Sequence, residues 1–271
     1  MTALPSTLGG AACAVLSTAD AHDKARLSRE AAAAWFAGRL DLAFPDMPPL
    51  RPARPERPVL LLPRDMPKRR AGGTLANRIA LLHAVAHIEL NAIDLAWDMV
   101  ARFAHENPPR AFFDDWVRVG DDEARHFLML SDRLAALGAA YGDLPAHDGL
   151  WQAAMETAHD IKARLSIVPL ILEARGLDVT PAMIERFRKY EDEASAAALT
   201  VIFNDEISHV AAGKRWLDHF CARDSVDPRD TFHTLVRRHF RGEVKPPFNE
   251  PARDAAQFPA DFYAPLAAGN G

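Results

Sequence analysis

Two short motifs in the sequence pair a glutamate with a histidine three residues later, and each has an aspartate directly before the glutamate. The motifs are Glu123-x-x-His126, preceded by Asp122, and Glu206-x-x-His209, preceded by Asp205. Residues three apart on an α-helix share one face, so the carboxylate and the imidazole of each motif can ligate one metal ion. The sequence therefore predicts two metal-ligating pairs.

Both pairs fall on apolar helix faces. Trp116, Phe127 and Leu130 share the face of Glu123, and Leu199 and Val210 share that of Glu206. Burying an ionised carboxylate costs several kcal/mol unless a cation or a hydrogen-bond partner compensates for the charge. A bound metal would provide that compensation.

A third and a fourth glutamate extend the pattern into a repeat. Glu89 precedes Glu123 by 34 residues, and Glu173 precedes Glu206 by 33 residues, which indicates an internal duplication. Glu156, with His159, is the alternative to Glu173, although its neighbours look surface-exposed. The sequence favours Glu173.

Two aspartates and an arginine beside the ligands are expected to orient the metal-bound histidines. A metal-bound histidine normally donates its second ring N–H to a carboxylate. We expect Asp205 to pair with His126 and Asp122 with His209. The alternative is that both aspartates form exposed salt bridges, and Arg125 suits either arrangement. His83 and His87 fall off the helix face that carries Glu89.

Four predicted helices carry the ligands. They are helix A from Thr74 to Glu106, helix B from Arg110 to Leu137, helix C from Asp148 to Arg175, and helix D ending near Cys221. Pro169 is expected to kink helix C, and Gly176 to end it, with Thr180 capping the next helix. Residues 182–221 form either one long helix, or a short helix to Tyr190 followed by helix D.

The flanking segments suggest three regions. Residues 1–73 contain N-terminal helices and a Pro- and Arg-rich arm, 74–221 form the four-helix bundle, and 222–271 contain a helix at 229–240 and an extended tail that packs on the bundle or is disordered. The expected fold is therefore all-α: a four-helix bundle with extra N-terminal helices, a Pro-rich arm and an extended C-terminal tail.

Composition restricts the function classes. The net charge of −5 disfavours nucleic-acid binding. We interpret the basic cluster in the arm as a solvated linker; its members are Arg51, Arg54, Arg57, Arg64, Lys68, Arg69 and Arg70. Cys13 and Cys221 lie far apart, which excludes a thiolate metal site and suits a reducing compartment. No leader pattern and no uncharged apolar segment of about 18 residues is present, so we expect a cytoplasmic protein without a membrane partner.

The motif set resembles the ferritin-like superfamily, which includes rubrerythrin, the ribonucleotide reductase small subunit and bacterial multicomponent monooxygenases. The segment Asp122 to His126 is similar to the monooxygenase signature. Leu172 to Pro181 and Asn204 to His209 resemble uncharacterised bacterial ferritin-like proteins, whose nearest characterised relative by motif is the di-iron tRNA hydroxylase that oxidises a modified adenosine. The predicted end of helix C after Glu173 departs from the pattern of the superfamily.

This resemblance implies a site for two iron ions, with manganese or zinc as substitutes. Its ligands would be Glu89, Glu123, His126, Glu173, Glu206 and His209, with Glu123 and Glu206 as bridging, catalytic carboxylates and Glu89 and Glu173 as terminal ones. The expected activity is O2-dependent oxidation of a small molecule or a modified nucleoside, with electrons from an external reductase. The expected oligomeric state is a homodimer. The alternatives are iron storage, peroxide detoxification and a structural metal bundle that binds a partner.

Overall fold

A computed structural model describes residues 4–67 and 73–267, and these residues are helical with no β-strand apart from isolated bridges. The prediction of an all-α, bundle-like fold is confirmed. The chain divides into two compact units, Met1–Trp151 (unit 1) and Gln152–Gly271 (unit 2). The sequence-based boundaries at residues 73 and 221 remain a prediction, and Lys68, Arg69 and Arg70 lie outside the described residues.

Eleven α-helices are found in the described residues. They are α1 (Leu8–Ser17), α2 (Ala21–Phe36), α3 (Leu75–Arg102), α4 (Arg110–Ala136), α5 (Gly149–Glu156), α6 (Ile161–Ile167), α7 (Ala174–Lys189), α8 (Glu193–Arg223), α9 (Pro228–His239), α10 (Glu250–Ala255) and α11 (Ala260–Tyr263). Short 3-10 turns cover Pro63–Asp65, Ala104–Glu106 and Ala264–Leu266, and a π-helix covers Val168–Glu173.

Unit 1 is organised around α3 and α4, which pack against each other and correspond to predicted helices A and B. Thr74 caps α3 as expected, because its hydroxyl accepts the N–H of Asn77 at 3.3 Å. After α4 the backbone turns at Gly138, whose φ is +78°. Helix α3 is long and apolar enough to cross a membrane, but 72% of its most apolar window is buried in the protein, as in the core helix of a soluble protein.

The side chain of Trp97 on α3 packs against the backbone of Gly120 on α4, and both are hydrogen-bonded to Ser28 on α2. A Cβ atom on Gly120 would lie 2.8 Å from Nε1 of Trp97, so only glycine leaves room for the indole. Trp97 Nε1 donates to the Ser28 hydroxyl at 2.7 Å, and that hydroxyl donates to the carbonyl of Gly120 at 2.7 Å. The three helices thus share one buried hydrogen-bond chain.

The Pro-rich arm is attached to the helices of unit 1, so its interpretation as a solvated linker is wrong for its first part. Arg54 donates to Asn91 at 2.7 Å and pairs with the buried carboxylate of Asp94 at 3.1 Å. Arg51 pairs with Asp148. Arg54 is thus held on α3 by a buried carboxylate, whereas the ion pair of Arg51 lies at the surface.

Predicted helix C differs from the structure in unit 2. It does not run without interruption from Asp148, because α5 ends at Glu156 and Asp160 caps α6 by accepting the N–H of Lys162 at 2.8 Å. The irregularity predicted at Pro169 is present as the π-helix Val168–Glu173.

The predicted end of helix C at Gly176 is wrong. Helix α7 runs through Gly176, Thr180 and Pro181 to Lys189. Pro181 cannot donate to the carbonyl of Leu177, and the side-chain amide of Asn249 donates to that carbonyl instead, at 3.0 Å. A residue about seventy positions later therefore supplies the hydrogen-bond donor that the proline lacks.

Of the two interpretations of residues 182–221, the second is correct: one helix ends near Tyr190 and helix D follows it as α8. Helix α8 begins at Glu193, with Asp192 accepting the N–H of Ser195 at 3.1 Å. The segment before the break is the end of α7 and is not a separate short helix.

The prediction of an extended C-terminal tail is also wrong in part, because the helices α10 and α11 form there. Asn249 caps α10 by accepting the N–H of Ala252 at 3.3 Å. Arg253 is buried, donates to Asp178 at 2.7 Å, and lies 4.3 Å above the ring of Tyr263. These contacts fix the tail to α7.

Two glycines of unit 2 give a matched prediction for stability. A Cβ on Gly213 of α8 would lie 2.5 Å from Cβ of Pro169 in the π-helix, whereas a Cβ on Gly176 meets nothing within 4 Å. We expect Gly213→Ala to lower the free energy of unfolding by about 1–3 kcal/mol through overpacking. Gly176→Ala should raise it by about 0.5–1 kcal/mol through helix propensity. Denaturant unfolding measures both, and equal stabilities would contradict the packing of α8 on the π-helix.

Candidate metal centre

Unit 1 brings three of the predicted ligands together. Glu89 comes from α3, and Glu123 and His126 come from adjacent turns of α4. All three are buried, with at most 3% of any residue exposed. Each offers a ligand atom, and these atoms lie within 4.8 Å of one another.

The atoms that face each other are those a metal ion would use. Nδ1 of His126 lies 3.2 Å from Oε2 of Glu89 and 3.5 Å from Oε2 of Glu123. Two carboxylates and one imidazole nitrogen thus converge at the packed face of α3 and α4. Carboxylate and imidazole donors suit iron, manganese and zinc.

The electrostatics of this cluster favour a cation. Burial raises the pKa of Glu89 well above its ordinary value, and the neighbouring charge of Glu123 raises that pKa further, while His126 opposes both effects. Two carboxylates this close cannot both stay ionised cheaply without a positive charge between them. A bound metal ion supplies that charge, so the three residues fit one.

Unit 2 repeats the pair in the same local geometry. Glu206 and His209 of α8 are buried, and Nδ1 of His209 lies 3.7 Å from Oε2 of Glu206. Glu206 stands thirteen positions after the first residue of α8, and Glu123 stands thirteen positions after the first residue of α4. The two Glu-x-x-His helices are therefore equivalent in register, which supports the duplication seen in the sequence.

The π-helix of unit 2 carries Glu173, the fourth glutamate. Glu173 is half-buried at the end of a segment that packs on α8. π-Helices are rare and occur often at functional sites. The competing Glu156 is exposed at the last residue of α5, and His159 is exposed beyond that helix, so they do not share a helix face. The expectation that the neighbours of Glu156 lie at the surface holds for Gln152 but is wrong for Ala163, which is buried.

Of the residues expected beside the ligands, Arg125 and Asp122 form an ion pair with each other. Nη2 of Arg125 donates to Oδ1 of Asp122 at 2.9 Å, as in the salt-bridge alternative. Asp205 is half-buried on α8. The pairing of Asp205 with His126 and of Asp122 with His209 remains a prediction.

Sequence reasoning set aside two histidines that have clear partners. Nδ1 of His87 lies 2.8 Å from the hydroxyl of Tyr141, and Nε2 of His83 accepts the N–H of Gly142 at 2.9 Å. Both contacts lie away from the ligand face of α3, as helix phase predicted. In the sequence, this second polar region is marked by no more than a histidine, His83, among mostly apolar neighbours.

Comparisons with known proteins agree on the family. Residues 17–264 match the family described as "Protein of unknown function (DUF455)". An uncharacterised protein of Haemophilus influenzae (strain ATCC 51907 / DSM 11121 / KW20 / Rd) is 37% identical over 268 residues, which cover 95% of this chain and 93% of that protein. No solved structure gives a significant match. The chain therefore belongs to the DUF455 family.

Proposed function

We propose that this protein is a ferritin-like, non-haem di-iron oxidoreductase that uses O2 to oxidise an organic substrate. The proposed ligands are Glu89, Glu123, His126, Glu173, Glu206 and His209. The observation that carries the proposal is the duplicated, buried Glu-x-x-His pair at the same register of α4 and α8, with Nδ1 to Oε2 distances of 3.5 and 3.7 Å.

The number of donors supports two ions. The six proposed ligands are four carboxylates and two imidazoles, which is the ligand set of di-iron carboxylate bundles. We assign bridging positions to Glu123 and Glu206 and terminal positions to Glu89 and Glu173. When bound, ferrous iron supplies the electrons that reduce O2.

The chain's own residues set the conditions for that chemistry. Burial of Glu89, Glu123 and His126 excludes bulk water from their ligand atoms. Asp122, Asp205 and Arg125 are proposed to orient the two histidines by hydrogen bonding. The sequence contains no glycine-rich cofactor loop, so an external reductase is proposed to return electrons to the site. A small molecule or a modified nucleoside is the proposed substrate, and the cytoplasm the proposed location.

Metal analysis tests this proposal directly. Protein purified without added chelator, then loaded anaerobically with Fe(II), should hold two iron ions per chain by mass spectrometry of the metal. Anomalous scattering should place the iron at the six ligands. A protein that binds no iron above the level of a metal-free control protein would overturn the proposal.

Measurements of oxygen consumption and of mass in solution distinguish the proposed oxidoreductase from an iron-storage protein. The iron-loaded protein should consume O2 in amounts set by a reductant and an added substrate, and should remain a small oligomer such as a homodimer. A shell of 12 or 24 subunits that takes up many iron ions per chain would support storage and contradict the oxidase.

A further inference from the structure

A cavity of about 340 Å³ opens in unit 1 on one side of α3. Its wall is mostly apolar and includes Ala80, Ala84 and Ile88 along α3, and Leu144 and Leu150 from the segment that follows α4. Cavities of roughly 300–1,000 Å³ with apolar walls and a few polar groups are typical of small-molecule sites. The volume and the wall suit an organic ligand.

The cavity is separate from the candidate metal centre. At about 100° per residue, Ala80 and Ala84 stand about 180° and 140° round α3 from Glu89, and Ile88 about 100°. The cavity and the ligand carboxylate thus occupy different faces of the same helix. A ligand here would not touch the metal ligands of unit 1.

No charged residue lines the cavity within the described part of the chain, and the polar groups there are mainly imidazoles. Burial lowers the pKa of His83, so this ring is neutral near pH 7. His87 has both ring nitrogens occupied, by the Tyr141 hydroxyl at 2.8 Å and the carbonyl of His147 at 3.1 Å. A charged ligand would lose its hydration without gaining an opposite charge.

The hydrogen bonding of His83 indicates which polar group a ligand must carry. It is 1% exposed, and its Nε2 accepts the N–H of Gly142, so the neutral ring carries its proton on Nδ1. Nδ1 has no hydrogen-bond partner among residues 4–67 and 73–267. His147 is similar, because its Nδ1 accepts the N–H of Gly149 at 3.2 Å and leaves the proton on Nε2. Both imidazoles line the cavity.

We propose that this cavity binds a neutral, largely apolar small molecule through an acceptor oxygen that receives the N–H of His83 or His147. A ketone, ester, amide or ether oxygen meets this requirement. An apolar ligand without an acceptor would cover an imidazole N–H and leave it without a partner, which costs about 1–3 kcal/mol, so a ligand that supplies the acceptor is favoured.

Three probes of similar shape test the proposal by ligand-observed NMR and equilibrium dialysis. They are 2-acetonaphthone, which has an acceptor oxygen, 2-ethylnaphthalene, which has none, and 2-naphthoate, which is charged. We expect 2-acetonaphthone to bind at least about five-fold more tightly than either of the others. Equal binding of the ketone and the hydrocarbon, or tighter binding of the carboxylate, would overturn the proposal.

Cavity-filling variants locate the bound probe. Ala84→Phe places a ring in the cavity and should weaken 2-acetonaphthone binding at least tenfold. Ala76→Phe, at an exposed position of the same helix, should leave binding unchanged. If Ala84→Phe does not fold, Ala80→Phe replaces it. Wild-type affinity in a folded cavity variant would overturn the proposal, and measurements on metal-free protein keep this result independent of the di-iron proposal.

Discussion

Glu123→Gln is expected to abolish tight iron binding while leaving the metal-free protein at least as stable as the wild type. Residues that only orient a metal ligand cost 10–100-fold in affinity when they are replaced, so loss of a direct carboxylate ligand should cost on the order of 100-fold or more. The amide keeps the size of the side chain and removes the charge that faces Glu89. Iron titration with mass spectrometry of the metal measures the first effect, and unfolding of the metal-free protein measures the second.

A matched control for this experiment lies in the same chain. Glu156 and His159 have the same residue types at the same spacing, but both are exposed and not on one helix. The double variant Glu156→Gln with His159→Gln should bind iron like the wild type. Normal iron binding by Glu123→Gln, or an equal loss in the control, would show that the buried cluster is not the iron site.

The helices of unit 1 could be predicted because their signals are local. Thr74 caps α3 through an N–H three residues away, and Pro109 and Gly138 flank α4. The same locality made part of the site predictable. The apolar phase of α3 and α4 fixes which side chains turn inward, so Glu89, Glu123 and His126 could be grouped from spacing alone.

The errors in unit 2 come from contacts that are distant in sequence. Gly176 and Pro181 look like a helix end, but Asn249 satisfies the carbonyl that Pro181 leaves without a donor. Local rules describe only the cost of the proline and not the partner that offsets it. Likewise, the Pro- and Phe-rich tail folds into α10 and α11 because Arg253 has Asp178 as its partner, seventy-five positions earlier.

The π-helix, which carries the proposed ligand Glu173, is a feature that residue spacing could not predict. Within Val168–Glu173, Pro169 packs closely against Gly213 of α8, where a Cβ atom would lie 2.5 Å from Cβ of the proline. Neither residue is unusual on its own, and the preference of a proline ring for a glycine opposite it is visible only once the two helices are packed. Glu173 is therefore a proposed ligand.

Asp94→Ala is expected to lower the free energy of unfolding by about 3–5 kcal/mol, because it removes the counter-ion of two cations. Asp94 is fully buried; Nζ of Lys24 lies 2.5 Å from its Oδ1, and Nη1 of Arg54 lies 3.1 Å from its Oδ2. Burial lowers the pKa of Lys24, and the Asp94 charge opposes this effect. Without Asp94 the ammonium is buried without its carboxylate, and the arm loses its anchor on α3. Denaturant unfolding measures the loss.

Two controls separate charge burial from simple loss of a contact. Asp121→Ala breaks an ion pair to Arg29 at 3.0 Å in which both side chains are at least a third exposed, so it should cost less than about 1 kcal/mol. The double variant Lys24→Met with Asp94→Leu removes the two fully buried charges and fills the space. Arg54 is partly exposed and keeps its hydrogen bond to Asn91, so the double variant should recover most of the stability lost in Asp94→Ala. If the double variant were as unstable as the single one, the loss would come from packing of the arm and not from the unpaired charge. If Asp94→Ala cost no more than Asp121→Ala, the buried pair would not hold the arm at all.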